Sequence, residues 1–280
     1  MGRKLFCELS PLCYRISLCK EYLLRDAKDL FSHARLAKLR QDAPLPALVK
    51  GHRSPMLRRL DGVDLRLQQN KARNLALAGA RVNGLLIRPG ETFSFWHTVG
   101  KPRARDGYLE GLTISNGKMG TAVGGGLCQL SNLIHWLVLH SPLQVTELHH
   151  HSDALFPDAE RRVPFGTGTS VFYKNIDYRF QNTSKQTVQL LIWQDGDDLC
   201  GELRAGSRFP YRYRIIEQNH HFAQEGGRYY RNSEIYRLVY DAQRNQVAKE
   251  LVLRNHSLVM YDPVLIPAEQ LCAPEPAVVR

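Results

Sequence analysis

Residues 121–140 read TAVGGGLCQLSNLIHWLVLH, and the reading of this stretch decides the fold. Three glycines run directly into Leu127 and Cys128, an apolar run follows, and Ser141-Pro142 closes it. An apolar segment that can turn no polar face to water predicts a buried central helix from Cys128 to about His140. The chain changes character across it. Upstream, residues 20–40 space Leu23, Ala27, Leu30, Ala34 and Ala37 by three and four, which predicts an amphipathic helix. Ala43–Pro55 reads as a Pro-rich connector, and a second helix is predicted from about Leu67 to Val82 on the stripe Leu75, Ala78, Val82. Asn83-Gly84 ends that helix, and Thr92–Trp96 reads as a strand. Downstream, residues 143–148, 169–173, 176–180 and 187–193 are β-branched and aromatic runs between turn residues. Asp195-Gly196 suits a hairpin turn, and further strands follow from Tyr211 to Met260, with a hairpin at Asp241–Asn245. The expected class is therefore α+β: a helical N-terminal segment, one central buried helix starting at the Gly-rich loop, and a mostly antiparallel sheet.

The composition, 43% hydrophobic and 23% charged over 280 residues, is that of a globular chain with a sizeable core. No apolar run reaches the roughly 18 residues that span a bilayer. The N-terminus begins with basic residues, but Glu8, Arg15, Lys20 and Glu21 interrupt any signal-like apolar core, so a cytoplasmic location is expected. Six cysteines, none in a CxxC pair, agree with that compartment, and most are expected as small buried hydrophobes. Charge is uneven. Residues 1–74 hold 16 Lys/Arg against 7 Asp/Glu, a balance of +9 within a total of +11. No helix-turn-helix, RNP or zinc-finger pattern accompanies it, so nucleic acid is not an expected partner. An anionic membrane surface, met peripherally, is the informative alternative to simple solvation.

Glycines ahead of a cysteine raise a chemical question. Gly124, Gly125 and Gly126 give backbone freedom, unhindered N–H groups and close approach for a substrate backbone. A thiol on the first turn of a helix meets the positive end of the macrodipole, which favours the nucleophilic thiolate. The same N–H groups, with that of Cys128, would cradle an oxyanion. A phosphate loop is the less fitting reading, because the GxxxxGK[ST] lysine and hydroxyl are missing. The plain alternative is a buried helix residue behind a flexible turn. A base for the thiol is offered by Glu147-Leu-His-His-His-Ser152, where His149 and His151 share one face of a strand and His150 takes the other. Surface polarity and a metal site of His149, His151 and Cys128 compete with that role; neither a metal nor a cofactor is expected. Asp177 lies in a β run where a carboxylate must be paired or exposed, and it is the expected orienter of the base, with Glu147 and Asp153 nearer in sequence.

With these residues set out, the chain resembles the VanW family. The resemblance runs through NGLLIRPGETFSFWHTVGK (83–101), GYLEGLTISNGK (107–118), GGGLCQLSN (124–132), HSPLQVTELHHHS (140–152) and YKNIDYRFQNTSKQTVQL (173–190), covering roughly residues 60–195. It implies a cell-envelope protein linked to glycopeptide resistance, with L,D-transpeptidase-like acyl transfer by the cysteine of the GGGxCQ motif. Carried onto this chain, the nucleophile is Cys128 and the histidine of the family's ERxxHS is His151, with His149 as the alternate. The implied substrate is a peptidoglycan peptide or precursor, met by Gly124, Gly125, Gly126, Gln129 and Ser152. The family arginine of ERxxHS is Leu148 here, and an acidic family position is Gly168. A non-catalytic binding protein for cell-wall precursors or resistance-cluster partners is the rival expectation, and a metal-dependent hydrolase the weaker third. The expected organisation is a basic helical region at 1–59, a VanW-type domain at 60–195, and a β-rich extension at 196–280 packed on the same domain.

Overall fold

The computed structural model describes residues 5–57, 64–115, 118–150, 153–155, 157 and 163–272. Helix α1 (Pro11–Phe31) begins where Ser10 accepts the N–H of Cys13 and Pro11 fills the first turn, a position that needs no N–H donor. It ends well short of the expected residue 40, as His33 takes a left-handed conformation (φ 51°). Ala37 lies beyond the helix and is buried, with its N–H on the Thr92 carbonyl. The connector expected at 43–55 contains a strand instead, β1 (Ala47–Pro55). Its prolines flank the ladder or close it, so an outermost strand accommodates them.

Helix α2 (Leu65–Val82) is capped by Asp64 and buries Leu75, Ala78 and Val82, as the stripe predicts. Strands β2 (Leu85–Ile87) and β3 (Thr92–Ser94) follow. Phe95 and Trp96 then leave the strand for a short helix, α3 (Phe95–Val99), because the Ser94 hydroxyl accepts the N–H of His97 and caps it. The hairpin β4 (Glu110–Ser115) and β5 (Lys118–Val123) leads into α4 (Cys128–Leu139), the predicted central helix. Short strands β6 (Gln144–Glu147), β7 (Asp153–Ala154) and β8 (Arg179–Gln181) precede β9 (Val188–Asp195) and β10 (Asp198–Ala205), joined at Gly196. The chain closes with the long meander β11 (Arg212–Glu225), β12 (Arg228–Tyr240) and β13 (Gln246–Val259).

The fold is α+β. An antiparallel sheet in the order β1-β10-β9-β2 draws β1 from the N-terminal segment and β10 from beyond residue 195. Helices α2 and α4 cover one face of it. Ile192 meets Gly79 of α2, and its cross-strand neighbour Gly201 makes room for Leu133 of α4. A second antiparallel sheet, β3-β8-β6, stacks Phe93 on Phe180 at 5.0 Å and buries Tyr178 beside them. The meander forms its own sheet and takes β7 in parallel along β13.

Candidate functional site

The glycine loop holds its conformation for internal packing. Gly124 (φ 81°) and Gly126 (φ 92°) take backbone angles that L side chains avoid. The space where each side chain would stand is already filled. A Cβ on Gly124 would lie 2.5 Å from Pro102, on Gly125 2.1 Å from the Gly111 carbonyl oxygen, and on Gly126 2.2 Å from Lys71. Pro102, Gly111 of β4 and Lys71 of α2 thus occupy these faces, where a substrate backbone was expected. The N–H groups of Gly124 and Gly125 donate to Leu109 and Ala122, and that of Gln129 to Gly126. Asn74 completes the lock: its amide donates to the Gly125 and Leu109 carbonyls and accepts the Leu109 N–H. Sequence reading missed this residue. The signal was an amide next to the apolar stripe of α2, where a polar group must find partners.

Cys128 stands on the first turn of α4, partly buried, with its Sγ 3.9 Å from the Val171 carbonyl oxygen. Burial pushes the thiol above its ordinary value, opposite in sign to the effect expected of a helix N-terminus. Of the six cysteines Cys200 alone is buried, so most do not pack as the small core hydrophobes expected. The Gln129 amide donates to the Ser54 hydroxyl and the Pro55 carbonyl, tying α4 to β1. Segment 169–171 runs between the cysteine and the histidines without forming the expected strand. Thr169 donates its N–H to Asn132 of α4, its carbonyl accepts the Ser131 hydroxyl, and Ser170 donates to the carbonyl of His149. Cys128 and His149 thus flank one stretch of backbone. His150 Nδ1 lies 3.2 Å from the Gly166 carbonyl oxygen, and burial lowers its pKa. His151 and Ser152 lie outside the described residues.

Asp177 is 2% exposed, and its carboxylate accepts from the Ser94 hydroxyl (2.6 Å), the Trp96 and Tyr178 N–H groups (3.1 and 2.9 Å) and Arg179 Nε (2.7 Å). Its bonds thus join β3, α3 and β8; of the histidines, His97 feels its charge, and none is among these donors. The carboxylate beside a histidine is Glu147, whose Oε1 lies 3.2 Å from His149 Nε2. Arg25 of α1 grips Glu147 with two hydrogen bonds (2.7 and 2.5 Å), and the Asp177 N–H adds a third. Burial works against this charge, but Arg25 outweighs it and holds Glu147 down to about 2. A depressed carboxylate stabilises the fold fully above its unfolded value and loses that contribution as pH falls through the folded one. Glu147→Gln is therefore expected to flatten the fall of stability between pH 4.5 and 2. Denaturant midpoints across that window check this, and parallel curves for the two proteins would refute it.

A cleft of about 310 Å³ opens along α2, α3 and the segment that follows, lined by Arg81, His97, Lys101, Arg103 and Tyr108, with Asp106 the acidic side chain among them. Pro102, which packs on Gly124, lies between two of these cations, and Lys101 Nζ stands 5.8 Å from the Tyr173 ring. Burial, then the charges of Lys38 and Arg179, lower the pKa of His97. Among the described residues no three His, Cys, Asp or Glu side chains converge as metal ligands.

Residues 70–204 match the family described as VanW like protein. The vancomycin B-type resistance protein VanW of Enterococcus faecalis (strain ATCC 700802 / V583) is 35% identical over 177 residues, 63% of this chain and 64% of that protein. The uncharacterized protein YoaR of Bacillus subtilis (strain 168) is 29% identical over 148 residues, 53% of this chain and 47% of that one. The chain thus spans less than two thirds of the length of either relative. No solved structure matches.

Proposed function

We propose that this chain, whose residues 70–204 match the VanW family, is a non-catalytic accessory protein of glycopeptide resistance that binds an anionic peptidoglycan peptide or precursor. The observation that carries this reading is the packing ahead of Cys128: the open faces of Gly124, Gly125 and Gly126 are filled by Pro102, Gly111 and Lys71, and burial raises the thiol behind them. A nucleophile requires the opposite, a thiolate near neutral pH. Binding needs only a shaped, charged surface. The cleft supplies Arg81, Lys101 and Arg103 for the carboxylates or phosphates that such ligands bear.

A second reading is favoured by one observation, that segment 169–171 holds Cys128 and His149 on its two sides. In it, Cys128 Sγ attacks a peptide carbonyl and His151, or His149, takes the thiol proton and returns it to the leaving amine. An acceptor amine then releases the thioester. One set of measurements separates the two, made on protein in which the other five cysteines are replaced. The binding reading expects Cys128 alkylation to show no thiolate below the ordinary value near ~8.5. It also expects Cys128→Ala to bind a peptidoglycan stem peptide like the parent in calorimetry. Lys101→Ala and Arg103→Ala should each weaken that binding about fivefold, the size of one exposed ion pair. A thiol that reacts rapidly at pH 6 and slows in His151→Ala would transfer the assignment to acyl transfer.

A further inference from the structure

We infer that α1 is a docking surface for an anionic lipid bilayer, on which it lies in the plane of the interface. The helix has two faces, and the wrong one is outside. Its inner face is polar. Arg25 pairs with Glu147, Asp29 with Arg179 at 2.8 Å, and Asp26, at the margin, with Lys174 at 2.5 Å, while the Tyr22 ring meets Tyr173 edge-on. Leu18, Tyr22, Arg25 and Asp29 are accordingly part-covered, and no residue of the helix is fully buried. Leu23 and Leu30 of the predicted amphipathic stripe point to solvent instead. Leu12 is 65% exposed, Leu23 70% and Leu30 75%, with Ile16 on the same line. Spacings of four and seven residues keep them on one side, and Phe6 and Leu9 extend the exposed apolar surface toward the N-terminus.

Scattered exposed leucines need no explanation, but a continuous stripe does. Its flanks say what covers it. Arg15 and Lys20 project along its two edges, and the ion pairs above engage Arg25, Asp26 and Asp29 of the helix with the body. The helix's remaining charges are Arg15, Lys20 and Lys28 against Glu21, so cations predominate beside the apolar line. That combination is the signature of a helix that sinks its apolar side into the acyl boundary and holds headgroups with its cations. A second copy would oppose the same cations across the stripe, which disfavours it. The helix does not cross: among the described residues no helix is long and apolar enough to span a membrane.

This inference does not rest on the cleft or on Cys128. The full-length protein is sedimented with vesicles of phosphatidylcholine containing one third phosphatidylglycerol, and with pure phosphatidylcholine. Binding is expected to the first at least about tenfold over the second, to weaken with salt, and to fall about tenfold in Leu23→Glu/Leu30→Glu. Both positions are exposed, so the thermal melt and stem-peptide binding of the double variant should match the parent. Equal sedimentation with both vesicles, no sedimentation, or unchanged binding of the double variant would overturn the assignment. So would a dimer, dissociated by the double variant, that ignores vesicles.

Discussion

Asp177→Ala is expected to lower the stability of the protein by about 3–5 kcal/mol, because it takes the acceptor from several buried donors at once, each costing about 1–3 kcal/mol when left unmade. Four donors converge on this carboxylate: the Ser94 hydroxyl, two backbone N–H groups and the Arg179 guanidinium. Alanine leaves each to find another acceptor in a place water does not reach. Arg179 keeps Asp29, but Ser94 and the first turn of α3 lose the group that fixes their angle to β8. Against a typical total of about 5–15 kcal/mol, the loss is a large fraction. Urea unfolding followed by tryptophan fluorescence reads it directly, since Trp96 donates its backbone N–H to this carboxylate and its indole N–H to the adjacent Ile176 carbonyl. A change below about 1 kcal/mol would mean that the network is dispensable, as for a surface pair.

Gly125→Ala is the second large effect, expected at about 3 kcal/mol or more, with loss of the native loop. The backbone at this position is not left-handed, so the whole cost is steric. A methyl group would stand 2.1 Å from the oxygen and 2.2 Å from the carbonyl carbon of Gly111, neither of which is the end of a flexible side chain. Relief requires β4 to move, and β4 is tied to β5 by its register, Gly111 facing Ala122. Gly120→Ala is the matched control. Its added carbon would meet the Thr113 hydroxyl oxygen at 3.5 Å, an ordinary contact. It is expected to be neutral or to add about 0.5 kcal/mol by restricting the unfolded chain. Equal melting temperatures for the two variants would show that the hairpin yields more readily than the packing implies.

The central helix was legible because its signals agreed: glycines before it, apolar residues throughout, Ser141-Pro142 after it. The hairpins at Gly196 and Asp241–Asn245 were legible from turn chemistry alone. Other segments were hidden by specific competition. The stripe of α1 has correct helical spacing but faces outward, so its period marks a helix and not a core. Prolines 44, 46 and 55 masked β1, which pairs through the residues between them. Phe95-Trp96 has strand character but is drawn into a helix by the Ser94 cap. Thr169–Val171 is β-branched, yet its bonds go to Asn132, Ser131 and His149 and not to a ladder. At the site, spacing named candidate residues but not their surroundings. Spacing can say that a thiol starts a helix. Whether Val171 covers it, or whether Asp177 is taken up by Ser94 and Arg179, depends on contacts across 43 and 83 residues of chain.

The order β1-β10-β9-β2 also limits how this protein can be divided. The segment that matches the VanW family begins at residue 70, after β1 has ended at Pro55. A fragment cut to that segment would keep β10 and lose the strand that covers its far side. The N–H and C=O groups that β10 now gives to β1, on alternate residues between Asp198 and Arg204, would then lie open as a template for another chain. Glu147 would lose Arg25 in the same cut. The matched segment is thus smaller than the unit that folds without sticking to itself.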